Sequence, residues 1–380
     1  MATFNTFIVF AVIAIWLVGL IGYASTRKAV KNNDKSFNNS YNLIRFVAAC
    51  MVLYSHHFPL AGLDEPRVPG YGAAIGSVAV HIFFALSGFL IYQSLQRNNS
   101  FSAFISARTL RICPNLIFAV VITSVLMMLW FDNFKNYQAH ITYAVHNATS
   151  FARVPIYGIE GVLSGRPSEA VNGSLWTLQY EVFLYFILFA LCFFAKISRT
   201  LIMLLLIISL TPFFNSMQKD ISLLSFQLNT HYLSLLGTSF LTGSLLAAYW
   251  KDLFPYKTWM TLIALFSMTP FVILGVDGSP IFYALAAIAV ITVGSFRFGT
   301  WFDRYGDGSY GIYIFAFPVQ QLCLIAIDDF WLSMAIAFAI TTLIGYTTWH
   351  LFEERALRAR KPLSTVLDNL TLSLRKLKSP

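Results

Sequence analysis

The chain has 380 residues, 57% of them hydrophobic and only 11% charged, with a net charge of +9. An ordinary soluble domain is excluded, since about 25% of its residues would be charged. A nucleic-acid partner is excluded too, because the basic residues are dealt out to alternate loops between long apolar runs rather than gathered in a patch.

In chain order, apolar runs near twenty residues long predict membrane-spanning helices at 5–24, 42–62, 76–95, 112–131, 174–195, 199–215, 229–249, 258–276, 280–296, 309–327 and 331–351. A weaker segment at 138–152 reads as a partial or re-entrant helix. A β-barrel would show short alternating segments instead. The expected fold is therefore all-α, a polytopic membrane helical bundle of about 11 transmembrane helices.

Loop charge orients the bundle. With the N-terminus outside, the inner loops hold Arg27, Lys28, Lys31 and Lys35, then Arg97, Arg108 and Arg111, then Lys196 and Arg199. Further along they hold Lys251, Lys257, Arg297, Arg304 and seven basic residues from Arg355 to Lys378. The outer loops keep only Arg67, Lys135, Arg153, Arg166 and Lys219. The positive-inside rule then places the C-terminus in the cytoplasm. The first span has no basic residue before it and a basic cluster after it, which predicts a retained anchor rather than a cleaved signal. Cys50, Cys113, Cys192 and Cys323 show no metal-type or paired spacing and read as small core residues.

Four constellations carry chemistry. Arg45 and His56 lie eleven residues apart in NLIRFVAACMVLYSHHFPLAG. Eleven steps of about 100° bring a helix to within about 20° of its start, so both leave one face, roughly 16 Å apart along the axis. Ionisable groups are costly in a bilayer, and two on one stripe mark a functional site. The imidazole is suited to taking a proton from a hydroxyl and returning it. His57 faces about 100° away and reads as packing.

In ARTLRICP, Arg108 and Arg111 share a helix face at the cytoplasmic end of a span. Their forks suit phosphates, or they serve as anchors that snorkel to headgroups. Pro114 fits the first turn of the helix that follows.

In VNGSLWTLQYEVFLYF, Asn172 and Gly173 form a turn, and Ser174, Trp176 and Glu181 follow it. Ser174 and Glu181 share a stripe, with Tyr185 one turn on. Glu181 needs a partner, a proton or water in the bilayer. It reads as an ion-pair partner of Arg45 or His56, or as the carboxylate that orients the histidine. Ser87 and Gly88 allow a helix or a ligand to approach closely.

In DGSYGIYIFAFPVQQL, Tyr310 lies at the polar start, and Pro318 predicts a bent helix whose Gln320 and Gln321 line a cavity. His350 and Glu353 share a face and read as an interfacial pair. No metal-ligand motif, Walker loop or nucleophile elbow is present.

These segments together resemble the membrane-bound acyltransferase family 3, the family of bacterial O-antigen and exopolysaccharide O-acetyltransferases. The likeness rests on Arg45-X10-His56, IFFALSGFLI, RTLRICP, VNGSLWTLQYEV, SYGIYIFAFPVQQ and FEERAL, in that order, over roughly residues 42–360. It implies a ten-helix core, so 1–36 is an extra N-terminal helix with its linker, 37–361 the acyltransferase domain and 362–380 a cytoplasmic tail. It departs from the family pattern at Gln179 and Arg355, where prolines are frequent.

The resemblance further implies an acyl-CoA co-substrate, usually acetyl-CoA, with no permanently bound cofactor, and a sugar or lipid-linked saccharide acceptor. His56 then corresponds to the catalytic histidine, Arg45 to its motif partner, and Arg108 and Arg111 to donor-site arginines. Glu181 and Glu353 correspond to the family's acidic positions. On this reading His56 is the general base, Glu181 orients it, and Arg45 holds the donor or steadies an oxyanion. The resemblance also implies the bacterial inner membrane. Two other classes fit the buried charges: a proton-coupled transporter or flippase without group transfer, and a non-catalytic scaffold.

Overall fold

The computed structural model describes residues 39–69, 72–97, 100–132, 134–149, 153–194, 198–211, 216–223, 225–274 and 279–378. The expected first span at 5–24 and its linker lie outside these residues. The fold is an all-α membrane bundle. Its helices are α1 (Tyr41–Leu60), α2 (Ile75–Arg97), α3 (Phe101–Met127), α4 (Tyr137–Thr149), α5 (Thr177–Phe194) and α6 (Ser198–Ser209). They continue with α7 (Thr230–Ala248), α8 (Lys257–Leu274), α9 (Pro280–Gly294), α10 (Ser309–Ala326), α11 (Phe330–Thr348) and α12 (Arg360–Lys378).

Among the described residues, 7 helices are long and apolar enough to cross a membrane, those built on α1, α2, α3, α5, α8, α10 and α11. Three more helices occupy expected runs. α6 and α9 are shorter. α7 is lower in hydropathy because it buries Ser234, Thr238, Ser239, Thr242 and Ser244. At 13 residues α4 is too short to span, in keeping with a partial helix.

One boundary differs from the sequence reading. The span expected from residue 112 belongs to a helix that begins at Phe101, where Ser100 Oγ accepts from Ala103 N at 3.4 Å. The polar residues of its first turns hid them. Pro114 is therefore interior to α3 rather than in a first turn. An antiparallel hairpin, β1 (Asp220–Leu223) with β2 (Phe226–Asn229), precedes α7, with Asp220 opposite Asn229.

Close backbone approach holds the centre together, as expected where lipid removes the hydrophobic drive between helices. α2 and α7 pack through Gly88 and Gly243. A Cβ on Gly88 would stand 1.9 Å from Phe240 O, and one on Gly243 would stand 2.1 Å from Ala85 O. α10 lies against α1 and α11, sealed by Phe46, Cys50, Leu53, Ile312, Ala316, Met334 and Phe338. This packing places the Arg45–His56 face of α1 against α2 and α10, where the cavities lie.

Candidate active site

The stripe on α1 serves two different environments. Near its start, Arg45 lines a narrow cavity of about 50 Å³ with Ser87, Thr177, Glu181, Tyr310 and Tyr313. Near its end, His56 lines an open cavity of about 570 Å³ with Glu65, Ser77, His81, Trp176, Tyr232 and Tyr283. Val80 of α2 borders both cavities.

Arg45 is fixed by a carboxylate that no periodicity announced. Its Nη1 lies 2.9 Å from Asp307 Oδ2, and the same oxygen takes Arg111 Nη2 at 2.7 Å. Arg111 Nη1 reaches Glu353 Oε2 at 3.1 Å, and Asn115 Nδ2 donates to Glu353 Oε1 at 2.7 Å. Burial alone would raise the Asp307 carboxyl, but Arg111 and Arg45 outweigh it and hold it at about 2. Arg111 is thus saturated by two carboxylates, with its guanidinium 5.5 Å from the Trp349 ring centre. This placement differs from a phosphate-gripping pair with Arg108.

A π-helical turn, Trp349–Glu353, sets this arrangement. The extra residue in the turn rotates Glu353 into the core, where it is fully buried, and leaves His350 to meet Glu354 at 3.4 Å. The His350–Glu353 pair read from helical spacing is therefore corrected to His350–Glu354. Gly306, at φ +83, lets Trp349 pass; a Cβ there would stand 1.9 Å from Trp349 Nε1.

Glu181 bonds within its own neighbourhood. It accepts from Tyr185 Oη and, at 3.3 Å, from Ser87 Oγ. Arg45 shares its cavity, whereas its bonding partners do not include His56. The expected carboxylate–imidazole contact is thus replaced by a Glu181–Tyr185–Ser87 cluster. Arg108 sits 5.7 Å from the Tyr185 ring centre on the other side of that cluster. It opens onto a third cavity, of about 370 Å³, with Arg97, Arg360 and Lys361.

The two adjacent histidines have opposite environments. His57 is fully buried, with Nδ1 accepting from Gln320 Nε2 at 3.1 Å and Nε2 3.0 Å from Ser333 Oγ. Gln320 Nε2 also donates to Leu53 O at 2.6 Å. Gln320 therefore clamps His57 and borders neither the Arg45 nor the His56 cavity. Gln321 likewise donates to Ser168 O and Ala170 O, both at 2.9 Å, tying down the loop before a 3₁₀ turn at Gly173–Trp176. His56, by contrast, has a buried Nδ1 without a hydrogen-bond partner and stands edge-on to Phe317 at 5.7 Å. Its neighbour in the cavity, Glu65, accepts from Ser55 Oγ at 2.5 Å, and His81 Nδ1 meets Ser239 Oγ at 2.8 Å.

The turn before α5 is built by a proline. Pro318 has no N–H to give Ile314 O, four residues back. Asn172 Nδ2 donates to that carbonyl at 2.9 Å, while its Oδ1 accepts from Ser174 N at 3.1 Å. Tyr313 Oη donates to Ser174 O at 3.0 Å. Asn172 and Ser174 thus position the turn, and Trp176 alone of that group faces the His56 cavity. Tyr310 faces the Arg45 cavity and reaches Ile112 O at 3.3 Å.

Residues 38–350 match the family model described as an acyltransferase domain. The chain belongs to this acyltransferase family. The acyltransferase is 30% identical over 330 residues to an O-acetyl transferase of Shigella phage Sf6, a match that covers 86% of this chain and 98% of the phage protein. It is 27% identical over 160 residues to nodulation protein 10 of Rhizobium leguminosarum bv. viciae, covering 40% of this chain and 44% of that protein. No solved structure matches it. It is an integral-membrane enzyme that transfers acyl groups, an O-acyltransferase.

Sequence reasoning missed Asp307, Asn115 and Glu65. Asp307 was visible only as an acid next to two glycines at the start of an apolar run.

Proposed function

We propose that this O-acyltransferase moves an acyl group, acetyl above all, from acyl-CoA to a hydroxyl of a cell-surface or secreted glycan or glycolipid. The carrying observation is that His56, whose buried Nδ1 has no hydrogen-bond partner, lines an open cavity, on one helix face with an arginine that borders a separate inner cavity. The phage relative is an O-acetyl transferase, which supports acetyl as the group moved.

The donor's phosphates bind at the Arg108 cavity, and its thioester arm extends past Tyr185 and Glu181 towards His56. His56 takes the proton of the acceptor hydroxyl as that oxygen bonds to the thioester carbonyl carbon. The carbon–sulfur bond then breaks, and the CoA sulfur leaves with the proton that His56 returns. Arg45 stands roughly 16 Å along the helix from His56 and is held on Asp307. It therefore lines the donor's path rather than the reacting atoms. Glu65, His81 and the rings of Trp176 and Tyr232 suit a hydroxyl-rich acceptor with apolar ring faces. By loop charge, the Arg108 cavity opens to the cytoplasm of an inner membrane and the His56 cavity to the outer side. The amino terminus lies outside and the carboxyl terminus inside.

The test is thiol release from acetyl-CoA by the purified chain in lipid, read with its melting temperature. Acetyl-CoA should raise the melting temperature, and free CoA should accumulate when a glycan acceptor is added. Absence of both would contradict an acyl-CoA donor.

A further inference from the structure

The third cavity, where the reading above puts the donor's phosphates, is lined by more cations than Arg108 alone. Four cationic side chains line it: Arg97 and Arg108, from α2 and α3, and Arg360 and Lys361, from the first turn of α12. Among the described residues no acidic one lines it. The buried Nε of Arg108 has no hydrogen-bond partner. Positive charge gathered around one space favours an anion there. Ser94 and Ser364 supply hydroxyl donors, and Phe104 with Leu95 gives an apolar wall. Ser102 Oγ donates to Asp368 Oδ1, which docks α12 on α3 and sets its first turn over the cavity. Arg360 and Lys361 fall outside the stretch that matches the acyltransferase model, residues 38–350.

We propose that α12 is a phosphate clamp: Arg360 and Lys361 bind the ribose 3′-phosphate of the CoA donor, and Arg108 binds its diphosphate. This rests on the acyl-CoA reading above. The same chemistry would hold the phosphate of an anionic lipid, so the experiment separates the two sources.

The full chain is placed in nanodiscs of zwitterionic lipid. Thiol release is measured with acetyl-CoA and with acetyl-3′-dephospho-CoA, for the parent and for Arg360→Ala/Lys361→Ala. Both side chains are exposed at a helix start, so the variant keeps its fold, and Lys361→Gln serves as a second, milder change. The parent should show a KM about tenfold lower for acetyl-CoA than for the dephospho donor. The double variant should raise the acetyl-CoA KM to the dephospho value and leave kcat and the dephospho KM in place. Lys361→Gln should move the acetyl-CoA KM part of the way.

Turnover without discrimination between the donors, or equal loss on both in the variant, would overturn the clamp alone. So would anionic phosphatidylglycerol raising the melting temperature of the parent but not of the variant, with both donors used equally. No turnover and no melting shift with either thioester would overturn the donor reading and the clamp with it.

Discussion

Arg45 Nη1 lies 2.9 Å from Asp307 Oδ2, so the motif arginine of α1 is aimed by the loop that leads into α10. Arg111 shares that oxygen, and the three charges form one unit with Glu353. Removing the central carboxylate leaves two guanidinium groups short of a partner. Breaking a buried pair in this way costs about 3–5 kcal/mol. Asp307→Asn should therefore lower the melting temperature sharply and cut turnover at least about tenfold. A variant with parental melting and parental CoA release would show that the network neither holds Arg45 nor matters to the donor path.

The same pairing has a pH signature. Burial pushes the Asp307 carboxyl up, but Arg111 and Arg45 hold it at about 2, below the 3.8 of a free side chain. A carboxyl lowered by folding adds stability above its unfolded value and loses it as pH falls towards the folded one. The gap in melting temperature between the parent and Asp307→Asn should be steady above about pH 4 and should narrow between about 4 and 2. Melting curves across that range check this; a gap independent of pH would contradict it.

Asn172 and Pro318 form a coupled pair through Ile314 O. Asn172→Ala strands that carbonyl, at about 1–3 kcal/mol. In a Pro318→Ala background the helix supplies its own N–H, so the same change should cost distinctly less. Chemical or thermal unfolding of the four proteins in a double-mutant cycle measures the coupling. Additive losses would show that the proline does not create the asparagine's acceptor.

His57 should behave as a structural residue. His57→Ala removes its contacts with Gln320 and Ser333 and leaves a void beside Phe330. Lost hydrogen bonds and cavity together should destabilise by about 2–4 kcal/mol. The fraction that remains folded should turn over at close to the parental kcat. A well-folded but inactive His57→Ala would give it a chemical role instead.

Much of this was legible in the chain. Apolar run length dictates the helices, and the eleven-residue step dictates that Arg45 and His56 share a face. What escaped was set by breaks in regular geometry. Glu353 points inward to Arg111 and Asn115 because the turn at Trp349–Glu353 is π-helical, whereas a period of 3.6 residues pairs it with His350. Asp307 sits in a loop, where no period marks a buried side. Gln320 is polar in an apolar helix, which reads as cavity lining, yet its partner is a histidine on another helix. Glu181 and His56 look like a dyad by residue type, but type does not disclose that Tyr185 and Ser87 lie closer to hand.

The most direct measurement is acetyl-CoA thiol release by the parent and by His56→Ala in lipid, with melting curves showing both are folded. The expected result is parental melting with turnover reduced at least about a hundredfold, the scale of a lost general base. Full turnover in folded His56→Ala would contradict the assignment of His56 as the base.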